Sequence, residues 1–205
     1  MQNLVKRTLV LILAVACVGA LVQAQTLTQA DRDKALKHLE MTRQGVIEAT
    51  KGLSPEQWNF KAAPDRWSIA QVTEHIAAAE DYLRGMVAEK AMTAPPRPAG
   101  EDVVAIDEMV VKMVPDRSNK RQAPDELKPS NRFGSPEGSL RHFLESRALT
   151  EEYLQKTDGL RAHAMDSPMG KKLDGYEWIL LISAHSERHT KQILEVKADP
   201  NFPKS

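Results

Sequence analysis

Four long stretches of the chain repeat apolar residues at steps of three and four, the spacing of one face of an α-helix. The first runs from about Thr28 to Thr50, with Ala35, Leu36, Leu39, Val46 and Ile47 on its stripe and Met41 off it. Thr28 and Asp31 form a capping box at its start, and Gly52 stops it. The second opens with Ser68 as N-cap and Gln71 as its capping-box partner, and continues to about Met92. Its stripe passes through Ile69, Val72, Ile76, Ala79, Tyr82, Leu83, Met86 and Val87. The third has Ser135 as cap and Pro136 at the first helical position. Leu140, Phe143, Leu144 and Leu154 line it, Leu149 and Tyr153 lie toward a second edge, and Asp158-Gly159 ends it. The fourth begins at Asp174, paired with Glu177, and runs to about Lys197 through Trp178, Leu181, Ile182, Ile193 and Val196. No period-two run is bounded by hairpin turns. The pattern therefore predicts an all-α fold, a four-helix bundle over residues 27–197 with a short tail at 198–205.

The connections are unequal. In "LSPEQWNFKAAPDRW" the Ser54-Pro55-Glu56 step predicts a turn, and Trp58, Phe60 and Trp67 cluster to plug one end of the core. Residues 93–135 are Pro-rich and polar, with room for one short helix in "EDVVAIDEMVVKM". So long a connection inside one domain is unusual and often functional. It also allows the helices on either side of it, the second and third, to run parallel rather than as a hairpin.

The N-terminus follows a different pattern. Lys6 and Arg7 precede an almost wholly apolar run at 8–22, and "VQA" at 22–24 supplies a cleavage site. That order predicts an export signal over 1–24, placing the mature chain in the periplasm or outside the cell. The alternative is a lipoprotein anchored at Cys17, on a loose lipobox in "LAVAC". Cys17 is the only cysteine, so cleavage after Ala24 leaves neither a disulfide framework nor a thiolate ligand or nucleophile. Removing Lys6 and Arg7 also changes the balance of 28 basic and 28 acidic side chains to 26 against 28, a net of −2. That balance points away from nucleic acid as a partner. After cleavage no apolar run is left that is long enough to span a membrane.

Candidate chemistry lies in the histidines. The stripe of the fourth helix passes through His185 and His189, so both imidazoles face the core and, four apart, can share one metal. His75 lies on the buried edge of the second helix, beside the small Ala78 and Ala79. Three imidazoles in one core are costly unless paired or coordinated, and bundle cores build metal sites from facing helices. The expected site is a divalent transition metal, Zn, Ni or Fe (Cu also suits imidazole), on His75, His185 and His189, with one coordination position left open. Gln71, one turn before His75, is the best placed support for a ligand N–H. Glu74 and Glu187 are expected on the solvated surface, and His38, His142 and His163 in half-exposed, ordinary positions. No general base is evident, so no catalytic residue is named.

Two segments, "WSIAQVTEHIAAAEDYL" at 67–83 and "LDGYEWILLISAHSERHTKQI" at 173–193, resemble the DinB/YfiT-like superfamily. The resemblance covers most of 27–197. It implies a four-helix bundle with a long connection between its second and third helices, and a three-histidine metal site on His75, His185 and His189. Similar proteins include thiol S-transferases, which implies thiol transfer on an unknown small-molecule substrate; the ligands themselves, three neutral imidazoles that leave a metal its charge, allow an activated water and hence hydrolysis. Export favours hydrolysis, because low-molecular-weight thiols are chiefly cytosolic. The alternative is a non-catalytic exported bundle that binds metal or a partner. Similar bundles often pair as homodimers, while the residues themselves leave the oligomeric state open.

Overall fold

Each of the four long stripes folds as a helix whose first turn is closed by its own side-chain cap. In the computed structural model, which describes residues 26–204, helix α1 spans Gln29–Thr50, α3 Ile69–Glu89, α5 Pro136–Lys156 and α6 Gly175–Lys197. The capping boxes at Thr28/Asp31, Ser68/Gln71 and Asp174/Glu177 all form, and Ser135 accepts from the Gly138 N–H. Lys51 is the C-cap of α1, and Gly52 follows at φ 67°, where a Cβ would be strained. The export-signal reading of 1–24 and the anchor reading of Cys17 lie outside the described residues. Among the described residues no helix is long and apolar enough to cross a membrane.

Shorter elements refine the expected pattern. The Ser54-Pro55 step opens helix α2, Pro55–Asn59, because Ser54 and Gln57 complete another capping box. Helix α4, Val103–Met113, lies within the long crossover and packs on α6. The connection from α5 to α6 carries a small antiparallel hairpin, β1 (Ala164–Asp166) with β2 (Lys172–Asp174). Three residues per strand are too few for alternation to show in the sequence. Tyr82, placed on the α3 stripe, is 40% exposed instead.

The order of helices around the bundle follows from their contacts. α1 packs on α6 and α5, and α3 packs on α5 and α6. The Tyr176 hydroxyl donates to the Asp31 carbonyl, His38 meets Ser183, and Lys197 reaches the Ala49 carbonyl, so α1 and α6 run parallel. His142 meets Asp81 while Arg84 reaches Ser146, and Leu154 packs in the same cluster as Leu83 and Val87, so α3 and α5 also run parallel. The 93–135 crossover is what makes that second pairing possible.

The core is two apolar clusters with a polar layer between them. One holds Leu39, Leu83, Leu154 and residues 178–182, and the other Val46, Ile69, Ile76, Phe143 and Ile193. Trp58 belongs to the second, with Phe60 and Trp67 packed against it, as the plug expectation requires. Between the clusters lies Arg147, fully buried. Its Nε and Nη2 donate to the two carboxylate oxygens of Glu80 at 2.7 and 2.8 Å. Nη1 donates to the Leu39 carbonyl and Thr42, and Nη2 also to Ser186. All five guanidinium N–H groups are thereby used, and four helices meet at one level.

A second ionic cluster seats the crossover against the start of α6. Arg161 bridges Asp107 of α4 and Asp174, and Arg97 contacts Asp174 and Glu177. Two guanidiniums face three buried carboxyls, with Glu101 at the exposed side of Arg97. Burial, reinforced by the charge of Asp174, pushes Glu177 up from 4.5 to about 7, against the pull of Arg97. Asp174 is raised too, by burial, with Arg161 opposing.

Two outcomes follow. Arg147→Ala leaves the Glu80 carboxylate buried and unpaired and is expected to cost about 3–5 kcal/mol in urea unfolding, whereas Arg147→Met with Glu80→Leu costs much less. Glu177 has a folded pKa above its unfolded one, so its contribution is full below about pH 4.5 and is lost as pH rises to about 7. Urea unfolding between pH 4.5 and 7.5 should show a shallower fall in stability for Glu177→Gln than for wild type. Equal slopes would show that Glu177 does not titrate across this range.

Candidate metal centre

His75 comes from the middle of α3, and His185 and His189 from successive turns of α6. The two helices are antiparallel neighbours, and the three imidazoles meet between them. His75 and His189 are buried, and His185 is half-buried. The Nε2 atom of His185 lies 3.3 Å from that of His75 and 3.1 Å from that of His189. One ligand atom from each residue falls within 4.8 Å of the others. Four nitrogens around a tetrahedral metal at about 2.0–2.1 Å are separated by about 3.3–3.4 Å, close to the two separations seen.

Hydrogen bonding settles the tautomers. His75 Nδ1 lies 2.9 Å from the Leu127 carbonyl, which can only accept, so Nδ1 carries the proton and Nε2 is bare. His189 Nδ1 lies 2.8 Å from Gln192 Oε1. Arg117 Nη1 donates to that same oxygen at 3.3 Å, and a guanidinium cannot accept, so the atom between them is the amide oxygen. His189 Nδ1 therefore also donates, leaving a second bare Nε2. Two acceptor nitrogens converge on a third nitrogen that can bring one proton at most. Such a donor set fits a cation better than it fits internal hydrogen bonding.

The electrostatics agree. Burial holds all three imidazoles below the ordinary pKa of 6.5, His185 and His189 well below it. Mutual repulsion adds to this at His185 and His189, and at His75 the bond to Leu127 opposes it. Neutral imidazole is the form that binds metal. The Trp67 ring covers His75, with centroids 5.1 Å apart.

The supporting residues differ from those expected. Gln71 is committed to the Ser68 N–H as the capping-box partner and supports no histidine. Glu74 is 5% exposed rather than solvated. Its carboxylate accepts from the backbone N–H groups of Ser130, Asn131 and Arg132 at 2.8–3.0 Å. Asn131 adopts φ 62°, a conformation asparagine tolerates, and this turns the three N–H groups toward one anion. Burial pushes Glu74 up, but these bonds outweigh it and hold the carboxyl below its usual value. Glu187 pairs with Lys191 and stands 3.8 Å from His38. The supports missed in the sequence are Gln192, Arg117 and the Leu127 carbonyl. Only Gln192, three residues past His189 on the same face, had a spacing that could have revealed it.

The remaining histidines hold structural bonds. His142 pairs with Asp81 at 2.5 Å, and His163 meets the Ala94 carbonyl at 2.6 Å. His38 Nδ1 contacts Ser183 Oγ at 2.7 Å, with Glu187 beyond, in a sequence resembling a nucleophile triad. Ser183 is fully buried and shared with Thr42, so no substrate reaches it, and the group belongs to the polar layer.

The family model of the DinB superfamily matches residues 38–193. The chain belongs to the DinB superfamily. This DinB-superfamily chain is 29% identical over 148 residues to the uncharacterized protein YuaE of Bacillus subtilis (strain 168), covering 72% of this chain and 87% of that relative. Among solved structures it is similar to YfiT from Bacillus subtilis, a probable metal-dependent hydrolase with an unusual four-helix bundle topology. That match has a TM-score of 0.55 at 17% identity, over 86% of this chain and 91% of YfiT, and shows a shared fold.

Glu74→Gln places an amide NH2 against the N–H groups it now accepts from. It is expected to destabilise by about 1–3 kcal/mol and to speed amide exchange at 130–132, measured by urea unfolding and hydrogen exchange. Unchanged exchange there would show that the carboxylate does not hold the turn.

Proposed function

We propose that this DinB-superfamily chain is a metal-dependent hydrolase whose divalent ion is held by His75, His185 and His189. One observation carries the reading: two imidazoles whose Nδ1 protons are committed elsewhere turn bare Nε2 atoms toward the Nε2 of His185. A divalent ion on three neutral imidazoles keeps its full charge and supplies a nucleophile at neutral pH by acidifying bound water. The protein's own part is to keep the ligands neutral and oriented. Burial keeps protons off the imidazoles, the Leu127 carbonyl and Gln192 fix two rings, and Trp67 shields one side of His75. His185 is the one of the three that is not fully buried, and substrate is proposed to approach from its side.

Water rather than a thiol is the proposed co-substrate, because the 1–24 segment is proposed to export the chain, away from the cytosolic thiol pool. The metal suited to the site is borderline, zinc, nickel or iron.

Purified wild type is expected to carry about one equivalent of divalent metal by elemental analysis, lost in His75→Ala and His189→Ala. Reconstituted wild type should hydrolyse members of a panel of activated carboxylic esters, phosphoesters and amides, and both variants should fall to background. Metal bound with no turnover across the panel would reject the hydrolase and leave a metal-binding bundle. No metal after reconstitution would reject the centre itself.

A further inference from the structure

The crossover does more than connect α3 to α5. Between Val114 and Arg132 it is fastened by polar contacts to the two helices that carry the histidines, and all but the Arg117–Glu195 pair use a residue that is a ligand, adjoins a ligand or is bonded to one. His75 donates to the Leu127 carbonyl. Glu74, beside His75, holds the 130–132 turn. Arg188, beside His189, donates to the carbonyls of Val114, Asp116 and Asn119. Gln192, bonded to His189, takes the Arg117 guanidinium, which also grips Glu195 through two bonds of 2.6 and 2.8 Å. Two of these positions, His75 itself and Gln192, tie the strap directly to the histidines.

We propose that Gln192, oriented by Arg117, is a positioning residue for the ligand His189, and that through it and Leu127 the crossover segment 114–132 and the bound metal stabilise each other. The inference rests on the three-histidine metal reading. Its physical basis is the tautomer argument. Without Arg117 the Gln192 amide is free to turn over, presenting its NH2 to His189 and favouring the proton on Nε2, the atom the metal needs. Without Leu127 in place, His75 loses the acceptor that keeps its proton on Nδ1. Whatever orders the strap readies two ligands, and by reciprocity a metal that selects those tautomers orders the strap.

The test uses the mature chain and Zn2+ alone, with affinity read by competition against a chromophoric chelator. Gln192→Leu and Arg117→Leu are expected to weaken zinc binding about 10–100-fold. Gln192→Glu, which can only accept, should restore binding to near the wild-type value. The visible absorption bands of the Co2+-substituted protein should shift in Gln192→Leu and return toward wild type in Gln192→Glu. Hydrogen exchange across 114–132 in wild type should slow on adding zinc. Wild-type affinity in Gln192→Leu, failure of Gln192→Glu to restore it, or exchange in 114–132 indifferent to zinc would each overturn the proposal while the metal centre stands. Failure of wild type to bind zinc would overturn the metal reading and this inference with it.

Discussion

The buried pairing of Arg147 with Glu80 is the constraint on which the rest of the structure depends. An apolar core tolerates sliding of one helix past another, since hydrophobic contact has no direction. A guanidinium with five fixed N–H directions does not. Satisfying all five from Glu80, Leu39, Thr42 and Ser186 fixes the heights of α1, α3, α5 and α6 relative to one another. Ser186 adjoins His185, and Glu80 stands five residues from His75 on α3. The bond set that fixes the polar layer thereby also fixes the height at which His75 meets His185 and His189. A slip of one turn, about 5.4 Å, would carry the nitrogens out of reach of any common ion.

The crossover completes what the bundle leaves open. Two antiparallel helices can bring three imidazoles together, but they supply one acceptor of their own for the outward-facing nitrogens, the Gln192 amide of α6, which the crossover's Arg117 holds in one orientation; the other, the Leu127 carbonyl, comes from the crossover. The Glu74 carboxylate sits in the anion-binding turn formed by 130–132, so a charge next to a ligand is spent on shape and not on the ligand. At the far end Arg97, Arg161, Asp107, Asp174 and Glu177 seat the crossover against the first turn of α6.

The helices and the three histidines were legible because both follow from periodicity. Caps at Thr28, Ser68, Ser135 and Asp174 mark the helix starts, and the 3.6-residue repeat places His75, His185 and His189 on inward faces. The supports were less legible, for separable reasons. Gln71 was a reasonable candidate by spacing, yet its amide oxygen serves the Ser68 N–H at the start of α3, a role visible in the same residues. Leu127 acts through its carbonyl, which carries no side-chain signal, from 52 residues away. Glu80 and Arg147 lie on stripe positions, between Ile76 and Leu83 and between Phe143 and Leu154. An opposite-charge pair at two inward positions was therefore readable, but nothing local indicated that the two would meet. The β1–β2 hairpin was too short to alternate.

The kind of acceptor behind each histidine bears on what the centre can do. When a carboxylate receives the N–H of a metal-bound imidazole, it raises the basicity of the ligand and feeds charge toward the ion. Here the acceptors are neutral, a peptide carbonyl and an amide. The nearby charged groups are largely matched among themselves, Arg132 with Glu74 and Arg117 with Glu195, and Arg188 is bound by carbonyls. Among the described residues no carboxylate touches the imidazoles of His75 or His189. A divalent ion in such surroundings would keep more of its charge than one backed by aspartate or glutamate, and would acidify a bound water or polarise a carbonyl more strongly. The proposed hydrolysis would draw on that charge, so the reading rests on which atoms the protein places behind the three histidines as much as on the histidines themselves.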